Sequence, residues 1–174
     1  VLGPGDVLGI YLLGKSQHEM QITVAADGRI YLPSAGVVAV AGRTLDEARD
    51  IIDDSLARVF GGYSLHLMLI TPKIVSIDVA GEVRRPGRFS LSALNTVLEA
   101  LSAAGGISPL GTLRHVQLLR SGAAAQAIDL YPFLLQHDRR DDFFLQSGDR
   151  VFLPPAQSWI ALAGEVLRPG IYEL

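Results

Sequence analysis

The stretch AGEVRRPG, residues 80–87, returns as AGEVLRPG at residues 163–170. Lined up at that offset of 83, residues 78–91 and 161–174 agree at eight of fourteen positions, more than composition gives by chance. The stretch has the chemistry of a bend. Pro86 and Pro169 preset φ at about −65°, and Gly87 and Gly170 follow where a type II turn needs positive φ. Apolar residues on either side put two strands in register across the bend. A chain that carries one hairpin twice is built from copies of a structural module.

Around the first copy, KIVSIDVAGEV reads as a strand, RRPG as the turn and RFSL as the returning strand. NTVLEALSAAGG follows as a helix, with Asn95 as its cap and Gly105-Gly106 as its stop. RHVQLLR and AQAIDL are two further strands around SGAA, PFLLQH is a turn or two of helix, and LQSGDRVFLP ends the unit with a turn and a strand. This order predicts a small α+β domain in which a mixed sheet wraps one helix. The last nineteen residues, AQSWIALAGEVLRPGIYEL, restate its opening hairpin and begin a third unit.

Towards the N-terminus, VLGIYLL, QITVA and RIYLP are short, rich in Val, Ile and Tyr, and separated by turn compositions, which predicts an antiparallel meander. TLDEARDIIDDSLARVF, residues 44–60, predicts a helix. Thr44 and Glu47 have capping-box spacing, and Leu45, Ala48, Ile52, Leu56 and Val59 recur on one face. GGY stops it, and SLHLMLITP is a strand with Leu65, Leu67 and Leu69 on one side. The pattern restarts after Pro72, which places a boundary near residues 71–74.

The composition is that of a globular protein, 49% apolar and 19% charged. A net charge of −3, and the self-neutralising HDRRDD at 137–142, give nucleic acid little to bind. No apolar run approaches the roughly 18 residues of a membrane helix; VVAVA at 37–41 is strand-sized. The sequence opens at Val1 without a signal core, so a targeting segment is expected to be already removed or to lie outside it. With no cysteine there is no disulfide, thiolate metal site or cysteine nucleophile.

Reaction chemistry finds few candidates. His18, His66, His115 and His137 are far apart, with none at metal-ligand spacing, so no metal or cofactor is expected. Asp53-Asp54 and Asp141-Asp142 are neighbours that cannot converge on one substrate, and they read as solvated charge. GPGDVLG at 3–9 has the glycines of a phosphate loop but neither the preceding strand nor the following helix. Asp6 there is expected to accept hydrogen bonds from its own turn, a device repeated in SGDRV at 147–151. Tyr11, Tyr31, Tyr63, Tyr131, Tyr172 and Trp159 are scattered, which suits cores and hairpins better than a sugar cleft. The hinge charges Glu82, Arg85, Glu165 and Arg168 have two readings: solvated hairpin residues, or an interface repeated from unit to unit.

LGPGDVL (2–8), DGRIYLP (27–33), GRTLDEAR (42–49), VAGEVRRPGRF (79–89), AGGI (104–107) and LQSGDRVFLP (145–154) occur in this order over nearly the whole chain. In them the sequence resembles the polysaccharide biosynthesis/export proteins, Wza-like outer-membrane exporters. The family's lipidated N-terminal cysteine and membrane-crossing C-terminal helix have no counterpart in these 174 residues. The resemblance implies a polysaccharide-export domain at 1–72, a soluble-ligand-binding β-grasp (SLBB) domain at 73–155 and the start of a second at 156–174. Asp6, Arg29, Tyr31, Glu82, Arg85, Glu165 and Arg168 are then its candidate interface or motif residues. It further implies a homo-oligomeric ring in the periplasm at the outer membrane, with polysaccharide cargo, an inner-membrane copolymerase as partner, and no catalysis. The alternative is a periplasmic β-grasp module that binds a glycan or a partner protein and forms no channel.

Overall fold

The structure, a computed structural model, describes residues 1–14, 17–136, 138, 140 and 142–174. It divides into two compact units, Val1–Lys73 and Ile74–Leu174. Both mix helix and sheet, the α+β class that the sequence predicts.

In the first unit β1 (Val7–Gly14) is the central strand of three, paired antiparallel with β2 (His18–Thr23). The predicted meander stops there. The turn at Ala25–Arg29, closed by Gly28 N–H to the Ala25 carbonyl at 2.9 Å with Gly28 at φ +80°, redirects the chain. β3 (Arg29–Leu32) therefore pairs with β4 (Gly36–Ala39) as a separate hairpin rather than with β2. Helix α1 (Leu45–Leu56) follows, and β5 (Tyr63–Thr71) returns to the free side of β1, giving the order β2-β1-β5.

The capping box forms as its spacing predicts. Thr44 Oγ1 accepts from the Glu47 amide at 3.3 Å, and the Glu47 carboxylate accepts from the Thr44 amide at 2.8 Å. Donation from the Thr44 amide, with the Thr44 hydroxyl beside the carboxylate adding to it, holds the Glu47 carboxyl below its ordinary pKa. Ala48, Ile52 and Leu56 form the buried stripe, packed in one core with Leu8, Ile10 and Leu12 of β1 and with Ile30 and Leu32 of β3. The helix ends four residues before the predicted Phe60, and Val59 is exposed.

In the second unit β6 (Ile74–Gly81) and β7 (Gly87–Ser92) form the first hairpin, followed by α2 (Val97–Ala103), β8 (Val116–Leu119), β9 (Gln126–Ile128), α3 (Tyr131–Gln136) and β10 (Arg150–Leu153). The sheet order is β7-β6-β10-β8-β9, with β10 parallel to β6 and the other pairs antiparallel. Val75, Ile77, Val79, Val116, Leu118, Ile128, Val151 and Leu153 bury one face against Val97, Ala100 and Leu101 of α2. Thr96, not Asn95, caps α2. Asn95 turns its Oδ1 to the Ser92 amide at 3.0 Å and closes the preceding turn, while Glu99 accepts from the Thr96 amide at 2.6 Å. Last come β11 (Trp159–Leu162) and β12 (Gly170–Glu173), a two-stranded sheet of their own.

Candidate functional site

The two hinges share one local backbone. Gly81 and Gly164 lie in the left-handed region at φ +89° and +90°. The amide two residues on returns to each of them, Val83 to Gly81 at 2.8 Å and Val166 to Gly164 at 2.9 Å. Strand register agrees at the same offset: Ile77↔Phe89 and Val79↔Gly87 in the first hairpin, Ile160↔Tyr172 and Leu162↔Gly170 in the second. The bend is not a type II turn on Pro-Gly, however. Gly87 is nearly extended at φ +157° and opens β7, Gly170 has no positive φ, and the left-handed glycine comes at the start of the hinge. At Gly81 the requirement is also steric, since a Cβ there would sit 2.1 Å from the Leu153 carbonyl oxygen of β10.

Side chains then separate the copies. In the first, Glu82 accepts from Ser108 Oγ at 2.5 Å, and Arg85 donates from its guanidinium to the Ala103 carbonyl at 3.1 Å, at the C-terminal end of α2. The Arg84 and Arg85 amides bond to the Gly106 and Ala104 carbonyls at 3.0 Å each, so the hinge is laced to the AGGIS loop of its own domain. In the second copy Glu165 and Arg168 are exposed, and among the described residues their side chains make no hydrogen bond or ion pair; the Arg168 carbonyl accepts from Tyr172 Oη at 2.8 Å.

Asp6 is buried at 3% exposure. Its carboxylate accepts from the Gly3 amide at 2.7 Å, the predicted turn bond, and from the Lys73 amide at 2.6 Å, with Lys73 Nζ at 3.8 Å. Asp149 repeats the device, accepting from the Gln146 amide three residues back at 2.7 Å. Its other contacts run to Arg120, two parallel bonds of 2.8 Å that lift the guanidinium pKa further. Both aspartates clasp a turn to a distant segment of chain. Arg29 is exposed beside Asp27 at 3.9 Å, and Tyr31 stands 67% exposed opposite Val37 on the outer face of the β3–β4 hairpin. The structure thus spreads the candidate residues over several local clusters instead of one cleft.

On the outer face of the five-stranded sheet, Arg88, Asp78 and Arg150 form a row across β7, β6 and β10. A hydrogen bond from Arg88 at 2.9 Å is the chief cause of the lowered Asp78 pKa, with the Arg150 charge adding to it. A shallow depression of about 310 Å³ beside this row is lined by Asp78, Leu119, Arg120, Ser121, Gly148 and Arg150. Another of about 240 Å³ involves Asp129, Pro132, Asp138 and Arg140. Among the described residues no three acidic or histidine side chains are placed to hold a metal, and no helix is long and apolar enough to cross a membrane. His66 and His115 are exposed, His18 packs beside Phe60 at 5.8 Å, and His137 and Asp141 lie outside the described residues. Asp53 and Asp54 are exposed as expected, whereas Asp142 accepts from Thr96 Oγ1 at 2.8 Å and from the Leu98 amide at 3.1 Å.

Residues 1–67 match the polysaccharide biosynthesis/export protein family, and residues 76–129 match the SLBB domain. The chain belongs to the polysaccharide biosynthesis/export protein family. It is 36% identical over 151 residues to the EPS I polysaccharide export outer membrane protein EpsA of Ralstonia solanacearum, an alignment covering 84% of this chain and 39% of that protein. To its namesake in Ralstonia nicotianae it is 32% identical, over 95% of this chain and 44% of the other. The polysialic acid transport protein KpsD of Escherichia coli is 26% identical over 99% of this chain and 31% of its own length. The chain thus spans less than half the length of these curated relatives. Its family motifs hold turns and close modules: GPGD buckles the first unit through Asp6, AGEV presses Gly81 against β10, and SGD fixes Arg120 through Asp149.

Two residues that sequence reasoning passed over matter to the second unit. Thr112 is 1% exposed and Glu173 is 2% exposed, and they bond to each other. The only signal for Glu173 was its place in the repeat, where the first copy has Ser90.

Proposed function

We propose that this chain forms part of a bacterial polysaccharide exporter, acting as a wall of a hydrated passage and not by chemistry. The observation that carries this is the pairing of an export domain with an SLBB domain in relatives named for polysaccharide export and transport. In this chain the motif residues Asp6, Glu82 and Asp149 close modules, the work of a scaffold. In this reading the domains are 1–72 and 73–155, and residues 156–174 begin a second SLBB copy. The first copy supplies the support for that division. Ile77, Val79 and Val83 are buried in its core, with Phe89 and Leu91 packed against it. Their counterparts Ile160, Leu162, Val166 and Leu174 are exposed, and Tyr172 is half-buried, as on a core face awaiting its helix and strands.

Copies of the full-length protein would close into a ring in the periplasm against the outer membrane, fed by an inner-membrane copolymerase, with capsular or exopolysaccharide as cargo. A passage holds its cargo weakly, which agrees with the two shallow depressions among the described residues. Electron microscopy of the full-length protein extracted from membranes tests the reading. Rings with a central opening are expected. A monomer that binds glycan saturably at micromolar concentration would overturn it in favour of the binding module that forms no channel.

A further inference from the structure

The hairpin β11–β12 carries a buried charge where its first-copy counterpart carries none. Of residues 159–174 Glu173 alone is buried, and the equivalent position in β7 is the exposed Ser90. The Glu173 carboxylate accepts from Thr112 Oγ1 and from the Leu113 amide at 2.9 Å, with His115 Nδ1 3.8 Å away. Thr112 Oγ1 in turn accepts from the Arg114 and His115 amides at 3.1 Å each, so loop 112–115 is folded around that hydroxyl.

The backbone of the same residue is gripped from both sides. Its amide donates to Tyr131 Oη at 2.7 Å, and its carbonyl accepts from Arg114 Nε at 3.1 Å. Arg114 lies over the Tyr131 ring, 4.3 Å from the centroid, and reaches Asp129 at 3.5 Å, which closes the ring of contacts. The connection from β10 runs alongside, with the Thr112 amide on the Pro154 carbonyl at 3.1 Å and the Ala156 amide on the Leu110 carbonyl at 2.8 Å.

Which face of the hairpin makes this contact decides its meaning. Trp159 and Glu173 are cross-strand partners, equivalent by register to Ser76 and Ser90 on the outward face of β6–β7. Ile160, Leu162 and Tyr172 occupy the opposite face, equivalent to the core-facing Ile77, Val79 and Phe89. The hairpin is therefore attached by its outward side, and its apolar side stays free to build a core. A buried carboxylate with every partner in place is a specific contact and an expensive one to leave half made.

We propose that Glu173 and the socket of Thr112, Leu113, Arg114 and Tyr131 form a fixed joint between consecutive SLBB modules, setting the direction in which the second copy leaves the first. This rests on the reading of residues 156–174 as the start of that copy. Trp159 is the single tryptophan of the sequence and lies opposite Glu173, so its fluorescence anisotropy reports the joint directly.

In this 174-residue chain Glu173→Ser, which installs the first-copy residue, is expected to lower Trp159 anisotropy. It should also speed exchange of the Leu113 amide about tenfold to a hundredfold, the loss expected for a hydrogen bond to a charged group, and raise that of the residue-173 amide, which donates to Tyr131 Oη, as the joint loosens. Amides of Val79 and Val151 in the sheet should keep their rates. Glu173→Gln keeps one acceptor oxygen and should fall between, and it serves if the serine variant folds poorly. Unchanged exchange at Leu113 and Glu173, or loss of protection spread equally over the whole sheet, overturns the joint. The second-copy reading fails separately: if the chain extended by its native continuation leaves Ile160 and Leu162 amides as fast as before, that reading is wrong while the joint stands.

Discussion

Replacing Gly81 and Gly164 one at a time by alanine separates what the repeated hinge needs locally from what its surroundings demand. Both sit at φ near +90°, where an L-residue costs about 1–2 kcal/mol. At Gly164 nothing lies within 4 Å of the added Cβ, so that term is the whole effect, and it falls on an exposed hairpin. At Gly81 the Cβ would stand 2.1 Å from the Leu153 oxygen, 2.9 Å from its carbon and 3.0 Å from its nitrogen, all backbone atoms that cannot rotate away. β6 and β10 must separate at that end, which strains the packing and gives up the 2.8 Å bond from the Glu82 amide to the same oxygen. Gly81→Ala is expected to destabilise the second unit by about 3–6 kcal/mol. For a unit of this size that lowers the melting temperature by at least about 12 °C. Thermal melts by circular dichroism, with exchange of the Val79 and Val151 amides assigning the transition to this unit, measure it. Gly164→Ala should leave those amides unchanged. Equal losses in the two variants, or less than about 1 kcal/mol for Gly81→Ala, would refute the close approach as the reason for glycine.

Asp149→Asn replaces a fully buried carboxylate with an amide whose nitrogen faces the Arg120 guanidinium. Since that guanidinium is 30% exposed and can recover some water, about 2–4 kcal/mol should be lost in urea unfolding of the second unit; a loss below about 1 kcal/mol would count against the clasp. The acid limb of stability should carry Glu47 in the first unit and Asp78 in the second. Both carboxyl pKa values are depressed in the fold, so their contributions are whole above about pH 4 to 4.5 and fade as pH falls through the lowered values. Glu47→Gln and Asp78→Asn should each flatten the loss of unfolding free energy between about pH 5 and pH 2, and unchanged slopes would contradict the assignment.

What could be read from the sequence was mostly local. The capping box needed only Thr44 and Glu47 three apart, and the Asp6 turn only Gly3 three residues before it. The repeat announced the second hairpin because register and the left-handed glycine travel with the eight letters. Long-range pairing was hidden. Nothing in RIYLP says that it pairs forward with GVVA and not back with β2, because both alternatives satisfy the same alternation and only the tight bend at Gly28 chooses. Capping by Thr96 instead of Asn95 turned on which of two adjacent polar residues the preceding turn consumed. Glu173 was invisible for another reason: its burial depends on Thr112 and Leu113, sixty or so residues upstream, and a glutamate in a hairpin reads as solvated charge.

The hinge itself shows how one sequence can serve two settings. The left-handed glycine and the amide that returns to it are the same in both copies, so that part of the bend is made without the loop that covers the first. Its charges differ: Glu82 and Arg85 are engaged by Ser108 and Ala103, while Glu165 and Arg168 face solvent with their chemistry intact. A hairpin that forms first and recruits its covering loop afterwards can be repeated along a chain without redesign. Under the joint proposed above, what must be supplied anew at each repetition is the contact that aims the next module, and the glutamate that stands at the repeat's thirteenth position in place of serine is the residue held by Thr112 and Leu113.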